Sequence, residues 1–563
     1  MKNVRPWLYA LICLLLVVLC YFWATGLMDT LYAYRSPLKD SPPQPGPALG
    51  SPLVRRLLLV HVDGLRLDVA ANPQYMPFLN ELRQQGAAAV MHSRPPSYSH
   101  PAYSTLFTGA WPDFSDGPAM NLDDPETIPL WTQDNLFAAV KRAGLKLAVS
   151  DYRLFDRFLP PGALDATYYS PVDELGADQA VLAAALPWLQ SSEYAFTLVH
   201  LNQVDHASHY NGGPLSPDGL AAAALNDQYL RQMVSQLDLE KDAVIIFSDH
   251  GHLDVGGHGG HEELLLVEPF VIAGAGVKPG AYGDIQMVDL APTAAALLGA
   301  NLPASSQGRV LTEMLELSPA QLDAIRMAES RQQAGLLAAY QQTPCCPGWL
   351  APFASYIQAP LRLSSGQDEA RPWTVESAQA ALEASRQRRM ALERLPRFLL
   401  AGLIFGFGLY LIWKNRSAGL AWDLLGALIY LVLFNLRFGV TSGRTYSLST
   451  VASAADIINF VAGTAGTAFL LAWVIVALRR RWFAARPAAA ALEVFHLTFV
   501  TLFLVGLPAL WSFAWNGPLV TWSLPDVASM FLGFLAILQM LVIAALGPLL
   551  ALLTSGLAHF LHR

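Results

Sequence analysis

A chain of 563 residues with a net charge of −8 offers no basic surface for nucleic acid. It is 53% hydrophobic and only 14% charged, too apolar for a uniformly soluble protein. Of its four cysteines, Cys13 and Cys20 lie in an apolar run and Cys345 and Cys346 are adjacent, which is neither a disulfide framework nor a CxxC metal pattern.

In chain order, Trp7–Met28 is uncharged and long enough to span a bilayer. Ala24-Thr25-Gly26 matches a small-x-small cleavage site, but so long an apolar stretch reads as an uncleaved anchor, residues 1–28. Residues 29–52 follow, and SPLKDSPPQPGPALGSP within them is proline-rich, the composition of a stiff linker or stalk. Residues 53–310 alternate apolar runs with helical stretches such as Asn226–Leu237. The runs are LLLVHV (57–62), AAAVM (87–91), KLAVS (146–150), FTLVHL (196–201), AVIIFS (243–248) and PFVIAG (269–274). That alternation predicts an α/β fold, a mainly parallel sheet with helices on both faces. Residues 311–396 are helical in composition and less apolar, a cap or connector, with Cys345-Cys346 in a loop as free thiols or a strained disulfide. Residues 397–563 form a membrane region of about five helices, near 398–413, 420–436, 457–478, 492–514 and 527–547. Lys2, Arg5, Lys414, Arg416, Arg479, Arg480, Arg481 and Arg486 fall in short loops on one side, which predicts cytoplasmic termini and an extracytoplasmic catalytic domain. Arg386, Arg388, Arg389, Arg394 and Arg397 oppose this, but they end a large domain, where the rule weakens.

Polar residues stand directly after three of the strands, where open α/β sheets place their sites. Asp63 follows LLLVHV, as a helix N-cap or a ligand. Asp205 and His209 follow FTLVHL four residues apart, so that on a helix they share a face. Asp249 and His250 follow AVIIFS and open SDHGHLDVGGHGGHEE, which packs four histidines and two aspartates among five glycines. Those glycines let the backbone return so that His258 can rejoin the site. Asp and His are the ligands expected for zinc, with manganese next. PPSYSHPAYSTLFTG (95–109) supplies Ser97, Ser99 and Ser104, and a serine beside a divalent metal becomes a nucleophile. Six N/O ligands divide into two three-ligand sites, the count of a two-metal phosphoryl-transfer centre.

With these motifs the sequence resembles the alkaline phosphatase superfamily over about residues 55–310. Within it, the chain is most similar to the type I phosphodiesterase/nucleotide pyrophosphatase branch and to membrane-bound GPI ethanolamine phosphate transferases. The resemblance rests on HVDGLRLD, PSYSHPAYSTLFTG, DHASH, SDHGHLDVGGHGG and VDLAPTAAALLG. It implies Ser99 as nucleophile and two divalent metals, zinc or manganese. One would be held by Asp63, Ser99, Asp249 and His250, the other by Asp205, His209 and His258, with His261 the rival to His258. It also implies an integral membrane enzyme acting on a lipid or lipid-linked glycan, by phosphoryl or phosphoethanolamine transfer or by phosphodiester hydrolysis. Two other readings are a sulfatase-like hydrolase and an inactive metal-binding transport or scaffold protein. Sulfatases of the superfamily carry arginine where this chain has Tyr103. Relatives usually have an apolar residue where this chain has His252, which reads as a pocket or surface residue. His61 reads as a satisfied core histidine, His206 as a residue near the ligands or exposed, and Glu493 and His496 as interfacial.

Overall fold

The computed structural model describes residues 6–122, 124–152, 155–171, 176–343, 348–362, 373–414 and 419–561, so the pairing state of Cys345 and Cys346 lies outside the described residues. Cys13 and Cys20 are free thiols. The chain divides into two compact units, one of residues 32–390 with 522–524, the other of residues 1–31, 391–521 and 525–563.

The first unit is built on an eight-stranded sheet. In chain order its strands are β1 (Leu57–Val62), β2 (Ala87–His92), β3 (Leu147–Asp151), β4 (Ala166–Tyr169), β5 (Phe196–Leu201), β6 (Ala243–Phe247), β7 (Val267–Gly274) and β8 (Gly280–Gln286). They are ordered β4-β3-β5-β1-β6-β7-β2-β8. All neighbours are parallel except β7, which runs antiparallel to both β6 and β2. The expected mainly parallel sheet, covered on both faces, is what forms.

Alternation along the strands makes two cores. Leu57, Leu59, Phe196, Leu198, Ile245 and Phe247 face one layer of helices. Leu58, Val60, Val62, Val199, Leu201, Val244 and Ile246 face the other. Because both layers are apolar, the central strands read as continuous hydrophobic runs. β4 and β8 escaped such a reading because they are edge strands, and β8 is largely exposed, with two glycines in GAYGDIQ.

The proline-rich stretch is tied to this unit rather than free. Arg35 and the Ser36 amide both donate to the buried carboxylate of Asp116, and Leu38 packs into a cluster with Phe114, Leu336 and Tyr340. Farther on, the Gly50 amide donates to the Gly299 carbonyl.

Among the described residues, six helices are long and apolar enough to cross a membrane, which makes this a membrane protein. They are Pro6–Tyr32, Val375–Lys414, Leu420–Thr441, Ala454–Arg479, Pro487–Asn516 and Val527–Leu561. The last continues through Pro548. At one end of these helices Asp423, Glu493 and Arg480 form an ion-pair cluster, with His496 beside it.

Candidate metal centre

Strands β5, β1 and β6 lie side by side and parallel, so the residues that follow them emerge at one edge of the sheet. Asp63 follows β1, Asp205 lies in the first turn of the helix Gln203–Tyr210 after β5, and Asp249-His250 follow β6. Ser99 comes from farther along the sheet: it is the first residue of the helix Ser99–Thr108, which follows β2. The His100 amide donates to Asn121 Oδ1 at 2.9 Å and fixes this first turn.

Four donor atoms converge on one point. His250 Nε2 lies 3.2 Å from Ser99 Oγ and 3.4 Å from both Asp63 Oδ1 and Asp249 Oδ2. Both carboxylate oxygens are buried and, among the described residues, accept no hydrogen bond. Leaving two such oxygens bare is costly unless a cation meets them. The two oxygens, the imidazole nitrogen and the hydroxyl fit a divalent ion. A serine-protease-like triad does not fit, because both carboxylates face the nitrogen that meets Ser99 while His250 Nδ1 donates to the Gly251 carbonyl at 3.1 Å.

Beside this group, Asp205 Oδ1 faces three histidines: His252 Nε2 at 2.8 Å, His209 Nε2 at 3.5 Å and His258 Nε2 at 3.7 Å. The rings of His250 and His258 stack with centroids 3.7 Å apart, so the two groups are contiguous. The glycine-rich loop does turn back: the Leu253 amide donates to the Gly257 carbonyl. Gly259, at φ +102°, leaves the space that the Tyr98 ring fills, since a Cβ there would lie 2.2 Å from it. His258 Nδ1 donates to the Ser97 carbonyl at 2.9 Å, which leaves the Nε2 lone pair toward Asp205. Burial holds His258 well below the usual histidine range, and a neutral imidazole is the form that binds metal. His261 is exposed, and both it and His209 fall outside the group of Asp205, His250, His252 and His258, whose ligand atoms all lie within 4.8 Å of one another.

Three neighbours were not legible from motifs. Tyr103 and His200 Nε2 both reach Asp63 Oδ2, at 2.5 and 2.9 Å, and His200 Nδ1 lies 2.6 Å from Asp151 Oδ1. Burial pushes the His200 imidazole down, but Asp151 and Asp63 outweigh it and hold it well above its ordinary range. His61 is buried, as expected, but not satisfied. Among the described residues neither ring nitrogen finds a hydrogen-bond partner; the ring is stacked between His200 and Phe247, with Nε2 3.1 Å from Asp249 Oδ1 in the wrong geometry. His252 is not a surface residue: it is fully buried. Glu493 and His496 are only partly exposed, and their cluster lies outside this unit.

Residues 57–324 match the family model described as type I phosphodiesterase/nucleotide pyrophosphatase. Among curated relatives, the chain is 28% identical over 302 residues to the human GPI ethanolamine phosphate transferase 3 catalytic subunit, covering 48% of this chain and 27% of that protein. It is 27% identical over 310 residues to GPI ethanolamine phosphate transferase 2 of Candida albicans, covering 51% and 34%. The chain thus spans about a third or less of these relatives' lengths. Among solved structures, human ectonucleotide pyrophosphatase/phosphodiesterase 5 aligns over 42% of this chain and 93% of its own, at 15% identity and a TM-score of 0.35. Residues 57–324, just under half of the chain, thus match a type I phosphodiesterase/nucleotide pyrophosphatase domain, which supports the alkaline phosphatase superfamily assignment.

Proposed function

We propose that this is a membrane-anchored, two-metal enzyme that transfers or hydrolyses phosphate esters, with Ser99 as nucleophile. Residues 53–310 carry the chemistry on the extracytoplasmic side, and residues 397–563 hold the enzyme in the membrane. The observation that carries this reading is the meeting of Ser99 Oγ with His250 Nε2, Asp63 Oδ1 and Asp249 Oδ2, the two oxygens lacking hydrogen-bond partners. Asp63, Ser99, Asp249 and His250 would hold one metal; Asp205, His209 and His258 would hold the other. Bound divalent ions, zinc or manganese, would supply Lewis-acid stabilisation of the serine alkoxide and of charge on the phosphoryl oxygens.

Ser99 Oγ forms a bond to phosphorus while the bond from phosphorus to the leaving alcohol breaks. The serine proton is lost, and the departing oxygen takes up a proton. An acceptor alcohol or water then displaces Ser99 from phosphorus and restores the hydroxyl. Ser99 opens a ten-residue helix, whose positive end favours the phosphate. Burial of Asp63, Asp249 and His250 limits competing water. Sulfate-ester hydrolysis is disfavoured, because Tyr103 stands at the arginine position and its hydroxyl is engaged by Asp63.

The curated relatives are named for ethanolamine phosphate transfer, and the membrane helices suit a lipid or lipid-linked glycan substrate. Phosphoethanolamine transfer from a phospholipid is therefore the leading reaction. Purified full-length protein with added zinc should turn over bis-p-nitrophenyl phosphate, and Ser99→Ala should not. No turnover in the wild type, or equal turnover in Ser99→Ala, would sink the assignment. Lipid mass spectrometry of cells with and without the protein would identify the altered head group.

A further inference from the structure

His252 stands where the motif usually carries an apolar residue, yet it is the most closely engaged histidine of the cluster. Its ring is fully buried, and both nitrogens are used. The Gly257 amide donates to Nδ1 at 3.1 Å. A nitrogen that accepts an amide hydrogen carries no proton of its own, so the neutral ring has its proton on Nε2. Nε2 lies 2.8 Å from Asp205 Oδ1 and donates to it. His250 and His258 have the opposite tautomer, with Nδ1 donating to a backbone carbonyl and Nε2 left as a lone pair. Histidines otherwise alike in their surroundings are thus sorted by the backbone group that each Nδ1 meets.

The backbone also makes room for the ring. Gly64, at φ +68°, sits where a Cβ would lie 2.8 Å from His252 Nε2 and 3.1 Å from the Asp205 Cα. Any side chain at 64 would push the histidine off the carboxylate.

We propose that His252 is a positioning residue for Asp205: it presents the carboxylate to the metal by donating from Nε2, and is not itself a ligand. This rests on the reading of Asp205 as a metal ligand. Carboxylate ligands are commonly held by such outer hydrogen bonds, and loss of one weakens metal binding by about 10- to 100-fold. A methionine or leucine could fill the space but could not orient Asp205.

The test is metal retention by the full-length protein in detergent, titrated with a chromophoric chelator and read as bound zinc. Wild type, Asp205→Ala, His252→Ala and His252→Gln are compared. We expect His252→Ala to bind both metals at saturating zinc and to release one of them about 10- to 100-fold more readily. His252→Gln, which keeps an N–H near the position of Nε2, should recover most of that affinity, a rescue that loss of folding would not allow. Asp205→Ala should lose one metal outright. If His252→Ala loses a metal even at saturating zinc, His252 is a ligand and the proposal is overturned. If it retains zinc as tightly as wild type, or if His252→Gln is as weak as His252→Ala, the positioning role is overturned. A wild type that binds no zinc would overturn the two-metal reading itself, a failure separable from these.

Discussion

The Tyr103 hydroxyl donates to Asp63 Oδ2 at 2.5 Å, and His200 Nε2 approaches the same oxygen at 2.9 Å. One carboxylate oxygen is therefore fully occupied by protein donors, and only Oδ1 remains for the site. The clamp leaves the carboxylate one open oxygen, which faces His250 Nε2, itself 3.2 Å from Ser99 Oγ.

Tyr103→Phe removes one of these donors while keeping the ring, which packs on Phe155. The variant should fold, with thermal unfolding close to wild type, and kcat/KM on bis-p-nitrophenyl phosphate should fall by about 10- to 100-fold. Unchanged kcat/KM would show that Asp63 needs no such restraint.

His258→Ala should lose one of the two metals, because the nitrogen freed by the Ser97 contact is the one that faces Asp205. His261→Ala should lose none, since that side chain is exposed. Elemental mass spectrometry of the purified variants decides between them, and the reverse result would shift the ligand assignment by one histidine.

Asp289 provides a pH test away from the metal groups. Burial lifts its carboxyl to about 6, against the pull of the Arg309 and Gln286 amides that donate to it. A carboxyl raised in the folded state contributes stability that is full below its unfolded pKa, near 4, and lost as pH rises through 6. The contribution is on the order of 3 kcal/mol. Wild type should gain stability between pH 7 and pH 4.5 relative to Asp289→Asn. Equal pH slopes of the two unfolding midpoints would refute this.

A reporter inserted after Gln44, in an exposed part of the proline-rich stretch, should read extracytoplasmic. The expectation comes from the lysines and arginines of the short loops. A cytoplasmic reading would invert the orientation of the whole chain.

The central strands were legible in the sequence, as was the placement of Asp63, Asp205, Asp249 and His250 just after three of them. A carboxylate after one apolar run could equally be a helix N-cap; three such runs, each followed by a carboxylate and two with a histidine nearby, point to a site. The edge strands β4 and β8 were not, because exposed strands have no reason to be apolar. Nor was the support beneath Asp63. Asp151 reaches His200 because β3 pairs Ser150 with Val199, and His200 meets His61 because β5 and β1 pair those residues. Sheet register creates these neighbours, and no local spacing encodes it. Of the two readings of His252, pocket or surface, burial removes the second: the loop's return seals the ring against Asp205 and Gly64.

The register of β5, β1 and β6 also sets an order of assembly. Asp63 lies more than a hundred residues before the Asp205 helix and Asp249-His250, and the three become neighbours only when these strands have paired in parallel. Such pairing is non-local and slow to form. A chain with its helices formed but its central ladder incomplete has no place to receive either ion. A divalent ion held there would therefore not template this fold as zinc does a zinc finger; it would enter a site that the paired strands had already assembled.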